Sequence, residues 1–214
     1  MAKAENIVRG SYRNIIDTYN NASESSLAEG KVWYSRANHI AWQVTKLLGS
    51  KDIRVGAGII AALSPQMDWG ENVTEALRFV SEGYSIMQTR ANNVKAKRIS
   101  EGEDPDTVLG GLKVTAFYHA ILEPFGDTPP VIDRHTLDVY RGKLISKGDR
   151  NRAMNNPRVI DRVQTSTKLA SKQLGVHWHV VQAVCWVQHR KNKGYVKEKA
   201  WHTTWFHWEK AWEV

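Results

Sequence analysis

Asp133 is the residue whose type and position point most directly to chemistry. It follows an extended run at residues 129–132 and stands where the next helix is predicted to begin. A carboxylate held at such a point can activate a water molecule or stabilise a positive charge that develops during a reaction. Aspartate is also a favoured helix N-cap, so a structural role is the alternative. The two roles are compatible, because capping fixes the carboxylate in place.

The segment SPQMDWGEN, residues 64–72, is unusual because it places a glutamine and a tryptophan in a turn. Turns are usually built from Gly, Pro, Asn, Asp and Ser. Gln66 is therefore a candidate for contact with a ligand. Trp69 has two open interpretations, which are stacking on a ligand and covering the apolar helix predicted at residues 53–63.

The elements that must position these residues are predicted to be helices, since no alternating strand pattern of useful length is present. Asp68 and Glu71 form a capping-box pattern at the start of one of them. The polar stretches at residues 20–30 and 146–156 are predicted to be loops. The remaining predicted helices cover about residues 31–48, 92–100, 113–122, 157–174 and 178–190, with a short helical turn from Asp104-Pro105 and another helix from Asp133.

The C-terminal stretch carries four tryptophans spaced by four, three and four residues, which places them on one face of a helix over about residues 198–212. They are Trp201, Trp205, Trp208 and Trp212. We expect this helix to fold back on the core, with base stacking as the alternative. The chain as a whole, residues 1–214, is expected to be one all-α domain of roughly ten helices in two lobes.

The composition limits the class of protein. The chain has 30 lysines and arginines against 22 aspartates and glutamates, a formal net charge of +8, which favours a polyanionic partner such as nucleic acid. The single cysteine, Cys185, excludes an internal disulfide and a four-cysteine metal or iron–sulfur site. The histidines have no carboxylate or cysteine partners at ligand spacing, so we expect no metal and no cofactor.

The expected location is the cytoplasm. The N-terminal residues lack the apolar core of a signal peptide, and no run reaches the roughly 18 apolar residues of a membrane span. A single cysteine also suits a reducing compartment. We therefore expect no membrane partner.

Three pieces of the sequence, in this order, resemble the helix-hairpin-helix (HhH-GPD) DNA glycosylase superfamily of the endonuclease III type. They are Leu63-Ser64-Pro65-Gln66, Leu109-Gly110-Gly111-Leu112-Lys113 and Ile132-Asp133-Arg134-His135. The family's counterparts are an LSxQ loop, an LPGVGxKTA hairpin and a VDTHVxR element. Residues 88–97 and 177–191 resemble its basic helix and its late helix, so the resemblance spans about residues 53–191. It implies a two-lobed all-α architecture with a cleft between the lobes, and the missing cysteines imply no iron–sulfur cluster.

The resemblance assigns roles to the candidate residues. Asp133 matches the catalytic aspartate, whose charge faces the sugar while an N-glycosidic bond breaks. Gln66 would fill the gap left by an extruded base, and Trp69 would stack on a base or pack against the sugar. Arg134 would meet a phosphate, and His135 would hydrogen-bond within the site.

The helix-hairpin-helix element, about residues 105–122, implies phosphate binding by backbone N–H groups at Gly110 and Gly111. One of the two spaced glycines of the family hairpin is absent here. Lys113 lies near the Schiff-base lysine of lyase-type members, and a phosphate-contacting or solvated lysine is the alternative. A glycosylase without lyase action is therefore expected.

The function that the resemblance implies is cleavage of a damaged, mismatched or modified base from double-stranded DNA by a monomeric enzyme. Three alternatives stay open. The first is a phage enzyme of DNA base hypermodification that acts on a modified pyrimidine, since the size and divergence suit a virus-encoded protein. The second is a non-catalytic DNA-binding protein that keeps the scaffold, and the third is an unrelated all-α protein that binds RNA.

Overall fold

The computed structural model describes residues 10–194, and over that range it contains eleven α-helices and no β-strand. The prediction of an all-α fold is therefore confirmed. The tryptophan-rich helix predicted at residues 198–212 lies outside the described residues. The helices are α1 (Tyr12–Asn20), α2 (Glu24–Leu47), α3 (Ile53–Leu63), α4 (Trp69–Glu82), α5 (Arg90–Ser100), α6 (Pro105–Val108), α7 (Leu112–Leu122), α8 (Arg134–Arg141), α9 (Lys147–Met154), α10 (Pro157–Leu174) and α11 (Trp178–Asn192).

The chain divides into two compact units. Unit 1 comprises Met1–Lys31 and Ile132–Val214, and unit 2 comprises Val32–Val131. Helix α2 begins in unit 1 and continues into unit 2. None of the eleven described helices is both long enough and apolar enough to cross a bilayer.

Unit 2 is built around α3. Residues Gly56 to Leu63 of this helix are all buried, and α4, α5 and α7 pack against it. A helix that is apolar on every side must be enclosed by other elements, as the sequence of residues 53–63 predicts. Asp52 begins α3 by accepting a hydrogen bond from the Arg54 backbone N–H at 2.9 Å.

Unit 1 has a separate hydrophobic core, to which α1, α8, α10 and α11 contribute. Ile15, Leu137, Val163 and Val181 are each 2% exposed or less within it. Helix α10 begins at an Asn156 cap and ends at Gly175, whose φ is 63°. These boundaries match those predicted from the Asn-Pro and glycine positions.

Helix α2 begins seven residues before the predicted start at residue 31, so the predicted loop at residues 20–30 is wrong from Glu24 onward. Ser23 precedes the helix, and its hydroxyl accepts a hydrogen bond from the Ser26 backbone N–H at 3.3 Å. Gly30, the last residue of the predicted loop, lies within the helix. A Cβ added there would lie 2.5 Å from Val184 Cα on α11, so glycine permits close packing of the two helices.

Helix α9 occupies residues that were predicted to be a loop. Ser146 caps it by accepting a hydrogen bond from the Asp149 backbone N–H at 3.1 Å. The sequence is polar, but Ala153 is buried and Arg150 donates two hydrogen bonds to the buried Asp138 of α8. These tertiary contacts stabilise a helix whose own residues have little apolar periodicity.

The close approach of α2 and α11 gives a first testable prediction. Gly30→Ala should lower the free energy of unfolding by about 1 to 3 kcal/mol, because the methyl group meets backbone atoms that cannot move aside separately. Urea denaturation of the purified protein measures this change.

The matched control is Gly148→Ala in α9, where the nearest atom to an added Cβ is Arg152 Nη1 at 3.8 Å. That substitution should raise stability by about 0.5 to 1 kcal/mol through helix propensity alone. Equal effects of the two variants would contradict the packing role of Gly30.

Candidate active site

Asp133 is the N-cap of α8 and is only 8% exposed. Its Oδ1 atom accepts hydrogen bonds from the His135 and Thr136 backbone N–H groups, both at 2.9 Å, and from the Thr136 hydroxyl at 3.0 Å. Its Oδ2 atom accepts one from Trp186 Nε1 of α11 at 2.9 Å. Four donors therefore fix both carboxylate oxygens, and such donors stabilise a carboxylate anion in a site largely shielded from water.

Trp186 is held in place by two neighbours. The Arg190 guanidinium carbon lies 4.5 Å from the centroid of its ring, a cation–π arrangement. The His135 ring meets it edge-on, with the centroids 6.2 Å apart. The indole N–H consequently points at Asp133 within a rigid group of side chains.

His135 is buried and uncharged at neutral pH. Burial lowers the pKa of its imidazole to about 4, although the nearby charge of Asp133 opposes this shift. Its Nε2 atom accepts a hydrogen bond from Arg134 Nε at 3.2 Å, which places the ring proton on Nδ1. Arg134 itself is exposed.

A second buried carboxylate, Asp138, lies within α8. It accepts hydrogen bonds from the Ile145 backbone N–H at 2.9 Å and from Arg150 Nη2 at 2.6 Å. His189 Nε2 lies 3.4 Å from Asp138 Oδ2, outside hydrogen-bond geometry. Burial lowers the pKa of His189 as well, with the charge of Asp138 acting against it.

Gln66 lies in unit 2, in the exposed turn between α3 and α4. Its φ of 62° makes it the one non-glycine residue with a left-handed backbone within residues 10–194. Such a conformation costs about 1 to 3 kcal/mol and is concentrated at functional sites. The turn is held by Gln88 Nε2, which donates to the Pro65 carbonyl at 2.9 Å, and by Asn72 Nδ2, which donates to the Ile60 carbonyl at 3.0 Å.

Trp69, at the first position of α4, is 6% exposed. Its ring centroid lies 5.5 Å from that of Trp33 and 6.3 Å from that of Phe117, with Phe117 meeting it edge-on. This packing favours the interpretation of Trp69 as a cover for the apolar helices over the stacking alternative. The capping box predicted for α4 is confirmed, with Glu71 Oε2 accepting from the Asp68 backbone N–H at 3.2 Å.

The segment predicted to form a helix-hairpin-helix element folds as α6, a turn at Gly110 and Gly111, and α7. Gly111 has a φ of 85°, and both glycines are exposed. Lys95 Nζ of α5 lies 3.6 Å from the point where a Cβ on Gly110 would stand, and Lys113 is exposed in the first turn of α7. An exposed helix N-terminus beside two lysines provides donors and positive charge suited to a phosphate group.

The loop from Gly83 to Thr89 was not singled out in the sequence. Its Tyr84, Ile86 and Met87 side chains are 50%, 58% and 55% exposed. The buried carboxylate of Glu75 holds the loop by accepting hydrogen bonds from Ser85 Oγ at 2.6 Å and from the Met87 backbone N–H at 3.2 Å. A fixed loop therefore presents apolar side chains to solvent.

The sequence-predicted residues fall into two groups. Asp133, Arg134 and His135 lie together in unit 1, whereas Gln66, Trp69, Lys113 and the hairpin glycines belong to unit 2. Sequence reasoning did not find the pairing of Asp133 with Trp186, because 53 residues separate them. The available indication was that a buried or half-buried indole N–H normally needs an acceptor.

Within residues 10–194, no group of three histidine, cysteine, aspartate or glutamate side chains is arranged to hold a metal ion.

These features define a protein that is all-helical over residues 10–194, with two compact units and a capped, hydrogen-bonded carboxylate in one of them. The chain belongs to DUF7178, a family of unknown function, whose family model matches residues 1–193. Searches of curated proteins and of solved structures give no significant match.

The buried imidazole of His135 gives a prediction about acid stability. Its pKa is about 4 in the folded chain, against 6.5 for an exposed histidine. Between pH 6.5 and pH 4 the ring is therefore protonated in the unfolded chain and neutral in the folded chain. The contribution to stability is complete above pH 6.5 and is lost as the pH falls towards 4. Urea titrations should show that His135→Gln removes about 2 to 3 kcal/mol of the stability difference between pH 7 and pH 4.5.

His39→Gln is the control, because His39 is an exposed histidine on α2. Both variants are compared with the wild type, so that the effect of losing the buried ring is separated from the effect of losing a histidine in general. A pH dependence of His135→Gln that matches the wild type would show that the folded chain accommodates the charged imidazole.

Proposed function

We propose that the protein is a DNA base-processing enzyme that extrudes a modified or damaged base and cleaves its N-glycosidic bond. The observation that carries this proposal is the hydrogen bonding of Asp133, which leaves a fixed anion at the start of α8. Such an anion needs no reorganisation when positive charge develops nearby, and this is the condition for electrostatic stabilisation of a transition state. The HhH-GPD-like two-lobed architecture is part of the same proposal.

The proposed reaction is hydrolysis. The bond between the sugar C1′ atom and the base nitrogen breaks, the base leaves with the electron pair, and positive charge accumulates on the sugar ring. The carboxylate of Asp133 stabilises that charge. Water then adds to C1′ and loses a proton, while the departing base gains one, so no covalent enzyme intermediate is required.

Features of unit 2 support DNA as the partner. The hairpin at Gly110 and Gly111, together with Lys95 and Lys113, offers backbone donors and cations to a phosphate. In this proposal, Lys113 contacts phosphate and does not attack the sugar, because the hydrolytic route needs no amine. Gln66 fills the space left by an extruded base, and its left-handed backbone is a strain of the kind that function can retain.

A non-catalytic DNA-binding protein is the second candidate, and one observation favours it. Both oxygens of Asp133 accept hydrogen bonds from the fold, Oδ1 from the cap of α8 and Oδ2 from Trp186. In that case, Asp133 would only stabilise the start of the helix.

Replacement of Asp133 by asparagine separates the two candidates. The asparagine oxygen can keep the cap of α8, whereas the hydrogen bond from Trp186 Nε1 to Oδ2 is lost together with the charge, so circular dichroism and urea denaturation must first show that the variant is folded. Base release by the folded variant should fall by about a hundredfold or more. The measurement is the appearance of free bases and abasic sites, by mass spectrometry, from duplexes that carry modified or damaged bases.

Asp52→Asn is the matched control, since Asp52 caps α3 in unit 2 through one backbone hydrogen bond. It should release bases at the wild-type rate. If the wild type and Asp133→Asn bind DNA equally and neither releases a base, the non-catalytic candidate is correct and the enzymatic one is wrong.

Gln66→Ala tests the extrusion role. It should weaken binding to a duplex with an abasic analogue by about tenfold, and binding to an intact duplex much less, because only the first complex contains a gap to fill. Fluorescence anisotropy measures both affinities. Gln43→Ala, on α2 of the same unit, is the control, and equal losses on the two duplexes would argue against a gap-filling glutamine.

A further inference from the structure

The positive charge of the chain is concentrated in one segment of unit 1. Residues 134–172 contain ten lysines and arginines against three aspartates, a net charge of +7 out of +8 for the whole sequence. Unit 2, which contains the hairpin, has ten cations against eleven acids and a net charge of −1. A general attraction to polyanions therefore has its source in unit 1.

Helix α10 arranges part of this charge on one face. Arg158, Arg162, Thr165, Leu169 and Lys172 are spaced by four, three, four and three residues, and all five are exposed. Side chains at this spacing lie along one side of an α-helix. We call these five residues the α10 stripe. The opposite side of the helix carries the residues that are buried in the unit 1 core, among them Val159, Val163 and Ala170.

Acidic side chains do little to neutralise this face. Arg162 and Lys172 form no ion pair with the described residues, and Asp161 is the one acid of α10, at the border of the stripe. Asp138 and Asp149, the other two aspartates of the segment, are paired with Arg150 and Arg152. Arg162 and Lys172 consequently remain available for an external anion.

The shape of the stripe indicates what kind of anion it suits. Arg158 and Lys172 are about 21 Å apart along the helix axis, which matches an extended polyanion better than a single phosphate or nucleotide. Thr165 adds a hydroxyl of the kind that often donates to phosphate oxygens. Leu169 is the one large apolar side chain of the stripe, whereas a helix that lies on a bilayer needs a broad apolar face.

We infer that the α10 stripe is a binding surface for the phosphate backbone of double-stranded DNA and supplies much of the electrostatic affinity of the protein. This inference rests on the proposed function, because it takes DNA as the partner. It adds a DNA contact surface outside the predicted helix-hairpin-helix element, and it assigns binding of the DNA phosphate backbone to named residues of unit 1.

The test compares two triple variants that each remove three positive charges. The stripe variant is Arg158→Gln, Arg162→Gln and Lys172→Gln, and the control is Lys31→Gln, Lys46→Gln and Lys51→Gln, whose lysines are exposed on or just after α2. Binding to a fluorescent duplex of about 20 base pairs is measured by anisotropy over a series of salt concentrations.

The stripe variant should bind about tenfold to a hundredfold more weakly at moderate salt, and the slope of log affinity against log salt should fall by about 2 to 3. The control should change much less in both quantities. Arg158→Lys with Arg162→Lys, which keeps the charge, should bind nearly as the wild type does, and circular dichroism of each variant confirms that it is folded.

Three outcomes would overturn the inference. Equal losses in the stripe and control variants would mean that affinity follows total charge, and the proposed function would stand. If the wild type fails to bind the duplex, DNA is not the partner, and the proposed function falls as well. Binding to vesicles of anionic lipid that depends on the stripe, without DNA binding, would assign the surface to a membrane.

Discussion

The carboxylate of Asp133 is the interaction on which the arrangement of unit 1 depends. A buried carboxylate is costly unless donors satisfy both oxygens, and here two backbone N–H groups, a hydroxyl and an indole do so. Because one of these donors is Trp186, the start of α8 is tied to α11. Arg190 and His135 pack on the same indole. The helix cap at Asp133, the ring contact of His135 and the cation–π contact of Arg190 therefore all depend on the position of Trp186.

Unit 2 is organised by a different constraint, which is the enclosure of an apolar helix. Helix α3 is surrounded by α4, α5 and α7, so the chain must turn sharply where α3 ends. Gln66 absorbs that turn with a left-handed backbone, and Gln88 holds the turn from outside. The polar loop thus leads the chain out of the buried core, and the left-handed backbone of Gln66 costs about 1 to 3 kcal/mol of stability.

Polar groups in unit 1 divide between interior and surface roles. Arg150 pairs with buried Asp138, and Arg190 stacks on Trp186, so these two arginines serve the interior of the unit. The cations of the α10 stripe project from the side opposite the buried residues of that helix, because most of its apolar side chains pack in the core. Amphipathicity therefore separates the residues that stabilise the unit from those available to a partner.

Local sequence determined the all-α class, the buried helix α3, the capping box of α4, and the position of Asp133 at a helix start. Each of these depends on residues within about one helical turn, so a linear pattern contains the information. Tertiary structure decided the early start of α2, the existence of α9, the burial of Trp69 and the partner of Asp133. Gly30 belongs to the predicted loop, but it lies within α2 and its missing side chain lets Val184 approach closely. The polar α9 is stabilised by the pairing of Arg150 with Asp138 and by burial of Ala153. Those outcomes depend on contacts between residues far apart in the chain. The spacing of residues along the sequence predicts which face of a helix is buried, but it does not predict which other helix packs against that face.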